Sequence, residues 1–382
     1  MKIKFHLKEI VEAIAPLMCA VSGKSTMTAV EGILIEAKPN DEVTLTTFDL
    51  EKGVRITIHP EVIEEGSYII NASKFNQTVK AISSSEFTLA VDDTLTATFE
   101  AGKFVYKIGA LPGKDFPETP QLSGENGFVV KQGVFKKMLS KVMHAMALND
   151  QRPVLNGCYV KIVDDNLMMI ACDTFRIAKC AISTEMKNVN TSGAALNTSF
   201  IIPNKTVGEL NRMFSDDEEE EVCIYMNRKN MMFTLGDVCF FSRLIIGEYM
   251  DIERATQMQQ SSYIIVDREP MLEALERASL ITEEKIAGYV RAHVKLEICE
   301  DNLTVTAMSA AGSTTDELWI EHVGDREITI ALNNRYLIDA LRACSGDRVM
   351  IKLSSARTPL YIMPNEEKEN ESEFYFLLPI RA

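Results

Sequence analysis

Gly32-Ile33-Leu34-Ile35-Glu36, a reversal at Pro39-Asn40-Asp41, and Val43-Thr44-Leu45-Thr46-Thr47 read as a β-hairpin. Apolar and β-branched residues fill both arms, and Pro, Asn and Asp punctuate the turn. The same hairpin returns twice. Cys158-Tyr159-Val160-Lys161-Ile162 answers Leu167-Met168-Met169-Ile170-Ala171 across Asp164-Asp165-Asn166. Ala292-His293-Val294-Lys295-Leu296 answers Leu303-Thr304-Val305-Thr306-Ala307 across Asp301-Asn302. Superposing the hairpins brings Asp49, Asp173 and Ser309 together, at spacings of 124 and 136 residues. A period this long marks repeated domains, not a solenoid.

The flanks of each hairpin repeat as well. Before it stands a short strand and an amphipathic helix: Ile3-Lys4-Phe5 into Leu7 to Val21, Phe128-Val129-Val130 into Val134 to Met146, and Tyr263-Ile264-Ile265-Val266 into Met271 to Leu280. Apolar residues fall three and four apart on these helices, as in Ile10, Ile14 and Leu17, or Phe135, Met138, Leu139 and Val142. After it stands a second strand and helix, entered through Ser73, Asn204 and Asn333, residues suited to cap a helix N-terminus. A final hairpin closes each copy, as in Leu95 to Phe99 with Phe104 to Ile108. The expected fold class is therefore α+β. Three repeated domains, 1–122, 127–252 and 262–382, each set two helices on antiparallel sheet. Polar, turn-rich linkers fall near Pro117–Gly127 and Glu253–Ser262.

The chain has 382 residues and a formal net charge of −15. Phosphate repels so acidic a surface, so nucleic acid is a partner only if the cations gather on one face. They gather on the helices. Lys205 and Arg212, and Arg335 and Arg342, are seven apart in equivalent helices, with Lys74 and Lys80 in the first copy. Lys137, Lys141 and Arg277 extend the set on the first helices of copies two and three. Such spacing on one helix ordinarily marks a solvated face; its return in equivalent helices of an acidic chain favours a DNA-facing one.

Nothing in the sequence asks for catalysis or a cofactor. Gly23-Lys24-Ser25 resembles the end of a phosphate-binding loop, but Met18 stands where its first Gly belongs and a helix precedes it. The acidic run Asp216 to Glu221 cannot converge on one ion, and its ordinary reading is a solvated loop. The five His and eight Cys lack metal-ligand spacing, and the Cys read as small hydrophobes in a reducing compartment. No signal peptide or membrane span is evident, so the expected location is cytoplasmic.

Five segments together resemble the bacterial beta sliding clamps, the beta subunits of DNA polymerase III. They are Thr47-Phe48-Asp49-Leu50-Glu51, Leu111-Pro112-Gly113-Lys114-Asp115-Phe116-Pro117, Arg152-Pro153-Val154-Leu155-Asn156-Gly157, Ala171-Cys172-Asp173-Thr174-Phe175-Arg176-Ile177-Ala178 and Leu378-Pro379-Ile380-Arg381. The similarity spans the whole chain. It implies a head-to-tail homodimer closing a ring around double-stranded DNA, a non-catalytic processivity factor without cofactor or metal. It implies a pocket for peptides of DNA polymerases, the clamp loader and repair proteins. That pocket maps to Arg152, Leu155, Thr174, Phe175, Arg176, Ile177, Met250, Arg254, Phe376, Leu378, Pro379, Ile380 and Arg381. The resemblance sets Tyr106 and Ile108 against Leu280 and Ile281 of the partner chain, and Lys24 and Asn149 in loops that touch DNA. There are departures: Phe175 where His is common, Met250 where Pro is common, Glu253 beside Arg254 where basic residues are common, and Pro153 and Val154 in place of aromatic residues. The alternative is a scaffold of the same fold that binds proteins without encircling DNA.

Overall fold

The computed structural model describes residues 1–382 apart from 24, 123–125, 192, 218, 257–259, 283–292, 310–311, 325–326, 367 and 381–382, and apart from the side chains of 254 and 255. Two compact units divide it. One comprises Met1–Gln132, Lys187–Ala195 and Arg212–Leu244; the other comprises Gly133–Met186, Leu196–Asn211 and Ile245–Ala382.

The first unit holds one antiparallel sheet of 14 strands. Its centre is the first hairpin, Gly32–Lys38 against Glu42–Phe48, with Leu45 opposite Ile35. Glu42–Phe48 is buried on both faces after its first residue, so its threonines need partners; Thr47 Oγ1 donates to Leu17 O at 2.8 Å. The helix Leu7–Leu17 covers one face through Ile10, Ala13, Ile14 and Leu17. Leu34, Phe48, Ile69, Phe116 and Phe241 form a second apolar layer.

The sheet does not stop at the end of the first copy. Lys52–Ile58 pairs with Val238–Arg243, Gly53 opposite Phe241. A Cβ at Gly53 would stand 2.2 Å from the Phe241 ring and 2.7 Å from Thr47 O, so this joint requires glycine.

The second unit holds sheets of nine and four strands. In the larger, Arg176–Ser183 pairs with Glu371–Leu377, Arg176 opposite Leu377. The smaller runs Ser313–Trp319, Asn302–Met308, His293–Cys299, Glu327–Asn333. Ala292, read as the start of that hairpin, lies outside the described residues. The helices Arg268–Thr282 and Asn334–Ala343 pack together here, and buried Asn334 donates from Nδ2 to Leu275 O at 3.0 Å and to Ser279 Oγ at 2.9 Å.

One turn marks all three copies. Asp49 N donates to Lys52 O, Asp173 N to Arg176 O and Ser309 N to Gly312 O, at 3.0, 3.2 and 2.9 Å. The alignment of Asp49, Asp173 and Ser309 is thus a structural equivalence. Asn333 caps its helix as expected, accepting from Tyr336 N at 3.3 Å. The cap in the first copy is a correction: Asn71, not Ser73, accepts from Lys74 N, because the helix begins at Ala72. Asn204 is already the first residue of Asn204–Met213, and its Nδ2 donates to Ala147 O.

Candidate functional site

The second of those turns carries residues that the family resemblance assigns to a peptide pocket. Asp173 Oδ1 accepts from Phe175 N and Arg176 N, each at 3.0 Å, while Thr174 takes a φ of 78°. That left-handed residue throws the Phe175 side chain outward, where it is 59 % exposed. Arg176 turns the other way. Its Nε donates to Asp173 Oδ2 at 2.8 Å, its Nη1 to Asp339 Oδ2 at 2.7 Å, and its guanidinium lies 4.1 Å from the Tyr336 ring centre. The C-terminal segment forms the next wall: Leu378 N donates to Phe175 O at 2.9 Å and Ile380 N to Ala331 O at 2.8 Å.

Beneath lies an apolar floor. Leu155, Ile177 and Phe376 are buried in one cluster with Ile170, Cys172, Ile252 and Tyr361. Phe175, Met250, Leu378 and Ile380 are all exposed large apolar residues. Arg152 is exposed, but its Nε and Nη2 are held by Asp150 at 3.0 and 3.2 Å. Arg381 and the side chain of Arg254 lie outside the described residues, and Pro379 is half-buried between Leu378 and Ile380.

The floor includes aromatic residues that the sequence reading passed over. Tyr361 meets Phe376 edge-on at 5.2 Å, and Tyr249 stacks on Tyr159 at 5.0 Å. Tyr336 and Asp339, the anchors of Arg176, were passed over too. The unbroken apolar run Leu360-Tyr361-Ile362-Met363-Pro364 was the available signal for Tyr361.

The helical cations differ in how free they are. Lys74, Lys80 and Arg335 are exposed and make no ion pair among the described residues. Lys205 and Arg212 are exposed as well. Lys137 pairs with Glu371 at 2.7 Å, Arg277 forks onto Asp316 from Nε and Nη2 at 3.1 and 2.8 Å, and Arg342 meets Glu276 at 2.7 Å. Lys141 is a correction. It is buried with Glu373, bonded to that carboxylate and to Ser345 Oγ, because the strand Glu371–Leu377 packs over its turn of helix. It does not face DNA. Asn149 is exposed in a left-handed conformation, φ 63°, and Lys24 lies outside the described residues.

Two strands keep an open edge along much of their length. Among the described residues Phe104 to Gly109 pairs only with Thr96–Ala101, and Ser313–Trp319 only with Asn302–Met308. On the first, Phe104, Val105 and Tyr106 are exposed and Ile108 is buried. Beside the second, Leu280 is 76 % exposed, and the Ile281 side chain approaches within 3.8 Å of where a Cβ on Gly312 would stand.

Among the described residues no three His, Cys, Asp or Glu side chains are grouped to hold a metal ion, and no helix is long and apolar enough to cross a membrane. Cys158, Cys172, Cys180 and Cys344 are buried, and burial pushes the Cys158 and Cys344 thiols up to about 12; Cys299 is exposed.

Comparison with known proteins gives a consistent picture. Family models match for the DNA polymerase III beta subunit N-terminal domain over residues 1–120, the central domain over 129–251 and the C-terminal domain over 257–381. A beta sliding clamp of Staphylococcus epidermidis is 27 % identical over 373 residues, covering 95 % of this chain and 94 % of that protein. One from Staphylococcus aureus has the same identity and coverage. The crystal structure of the DNA polymerase sliding clamp from Bacillus subtilis superposes with a TM-score of 0.91 at 23 % identity, over 100 % of this chain and 99 % of that one. A sliding clamp from Bartonella birtlesii, crystallised with griselimycin, superposes with a TM-score of 0.88 at 25 % identity over 100 % of both chains.

Proposed function

The chain belongs to the DNA polymerase III beta subunit family, the sliding clamps, and on that premise we propose how its surfaces divide the work. It is a processivity factor of DNA replication and carries out no reaction itself. A clamp holds its polymerase on the duplex by enclosure. The family assignment disfavours the scaffold that leaves DNA unencircled.

Unsatisfied strand edges support a head-to-tail assembly. Each copy has a strand after the shared turn, Lys52–Ile58, Arg176–Ser183 or Ser313–Trp319, and a last strand, Phe104–Pro112, Val238–Arg243 or Glu371–Leu377. Two such pairs form within the chain, Lys52–Ile58 with Val238–Arg243 and Arg176–Ser183 with Glu371–Leu377. Among the described residues one strand of each kind is left, and the two left over are complementary in type. A second copy set head to tail satisfies both edges, which a like-with-like contact would not. Tyr106 and Ile108 then meet Leu280 and Ile281 of the partner chain.

Lys74, Lys80, Lys205, Arg212 and Arg335 face the enclosed duplex, and the charges of Lys137, Arg277 and Arg342 are offset by the carboxylates that hold them. So partial a cationic lining holds phosphate weakly, and a weak hold lets the ring move. The cleft around Phe175, Leu155 and Leu378 takes the Leu and Phe side chains of extended peptides from polymerases, clamp loader and repair proteins. Docking there converts polymerase rebinding into an intramolecular event. The chain works on DNA in the cell interior, and we place it in the cytoplasm.

Loading tests the reading. Placed on nicked circular plasmid by a clamp loader, the protein should stay through gel filtration and leave when the plasmid is linearised. Equal retention on linear DNA would mean adhesion instead of enclosure and would sink the proposal.

A further inference from the structure

The four-stranded sheet of the second unit buries Val294, Leu296 and Ile298 against the helix Arg268–Thr282. The alternate side chains point to its other face, where a cavity of about 940 Å³ opens. His293 and Lys295 line it from one strand, Thr329 from the next, Arg357 from the loop after Leu353, and Leu378 and Ile380 from the C-terminal segment. No described lining residue is acidic, although the chain carries 55 Asp and Glu against 40 Lys and Arg. A second cavity in the same unit, of about 690 Å³, shows the contrast, being lined by Glu366, Glu369, Glu371 and Glu373 with Lys352 and Lys368.

The cations here are available. Arg357 is exposed and its guanidinium has no partner among the described residues. Lys295 meets Glu297 Oε1 at 2.6 Å, but that pair is half in water, and an ammonium has two further protons to donate. In the peptide cleft the described cations are engaged: Arg152 by Asp150, Arg176 by Asp173 and Asp339, Lys179 by Glu253. The wall between cleft and cavity is only the segment Leu378 to Ile380, bonded to Phe175 O on one side and to Ala331 O on the other.

We propose that this cavity receives an acidic flank, an Asp or Glu side chain, of the same peptide whose apolar side chains fill the cleft. The inference rests on the peptide-binding reading of the cleft. An extended peptide advances about 3.3 Å per residue, so residues next to an anchor at Leu378 pass over the wall and meet Arg357 and Lys295. The charge match selects a carboxylate against the repulsion of a chain whose net charge is −15.

Two labelled synthetic peptides decide it, each with the same Leu and Phe anchors, one flanked at both ends by Asp-Asp and the other by Asn-Asn. Fluorescence anisotropy on the full chain at low salt should show the Asp peptide binding about fivefold tighter. Arg357→Glu should abolish that preference and leave the Asn peptide unchanged, which also reports intact folding; Lys295→Gln should reduce it. Equal affinity of the two peptides for the unaltered chain, or a preference surviving both substitutions, overturns the acidic-flank proposal alone. Failure of both peptides to bind removes the cleft reading and this inference with it.

Discussion

The guanidinium of Arg176 lies 4.1 Å from the ring centre of Tyr336 while Nη1 donates to Asp339 at 2.7 Å, so one side chain fixes the turn of the cleft to the helix Asn334–Ala343. The turn cannot move without breaking a stacked cation and a charge-assisted hydrogen bond. Arg176→Ala should weaken binding of a Leu- and Phe-bearing peptide by about tenfold, roughly 1.4 kcal/mol. Arg176→Lys keeps the charge but loses the planar fork, and should recover only part of that affinity. Full recovery in anisotropy titrations would show that charge alone sets the cleft.

His144 lies under the same network, its ring 5.7 Å from that of Tyr375. Burial, with the Arg176 charge beside it, holds the imidazole down at about 4, and Asp339 opposes only in part. The unfolded chain titrates near 6.5, so between pH 6.5 and 4 the unfolded state binds the proton and the folded state does not. The neutral imidazole therefore stabilises the fold above that window, and the contribution fades as pH falls through it, by about 2–3 kcal/mol at pH 4.5. Urea unfolding at pH 7 and 4.5 should show a smaller loss in His144→Phe than in the unaltered chain. An unchanged difference would mean that carboxylates carry the whole acid sensitivity.

The buried ion pair of Lys141 and Glu373 gives a separable test. Lys141 is 9 % and Glu373 4 % exposed at the side chain, and Ser345 N also donates to Glu373 Oε1 at 2.6 Å. Removing one charge strands the other in an apolar surround, at a cost of about 3–5 kcal/mol. Lys141→Met alone should lower the urea midpoint accordingly. Pairing it with Glu373→Leu should restore part of the loss, since no charge is then stranded and what remains is the acceptor lost to Ser345 N and the Tyr375 hydroxyl. DNA retention should not change in the double variant, because neither residue faces the duplex.

Lys141 also shows where sequence reading stops. Helical period places it on the stripe of Lys137, and both looked solvent-facing. What buries it is a strand 232 residues away in sequence, and no local pattern encodes that contact. Asn71 took the cap from Ser73 for a lesser reason, a helix start displaced by two residues. The repeats were legible because strand and helix periods are local and were written three times. Leu155, Ile177 and Phe376 of the cleft were reached through family resemblance, whereas Tyr336 and Asp339 were not, since their tie to Arg176 exists only once the chain has folded.

The open strand edges make the most demanding prediction, because the two joints within the chain fix the register of the third. Ser242 pairs with Lys52 and Leu377 with Arg176. The shared turn makes Lys52, Arg176 and Gly312 equivalent. On the facing strand, Leu111 stands opposite Ile69 as Ile245 bonds to Ile201 and Ile380 to Ala331, so Ile108 is the equivalent of Ser242 and Leu377. Ile108 should therefore lie opposite Gly312 of the partner chain, beside Ile281, with Tyr106 opposite Thr314 and Val105 opposite Thr315. Val105, 55 % exposed, and Thr315 suit cysteine replacement, since opposed Cβ atoms stand about 5 Å apart and those one pair out about 7–8 Å. With exposed Cys299 changed to Ser, Val105→Cys with Thr315→Cys should give a cross-linked dimer on mild oxidation, and Val105→Cys with Ser313→Cys much less. Leu280→Asp buries a charge in the same joint and should leave a monomer in analytical ultracentrifugation. Equal cross-linking by both cysteine pairs would discard the register, and an intact dimer with Leu280→Asp would discard the interface.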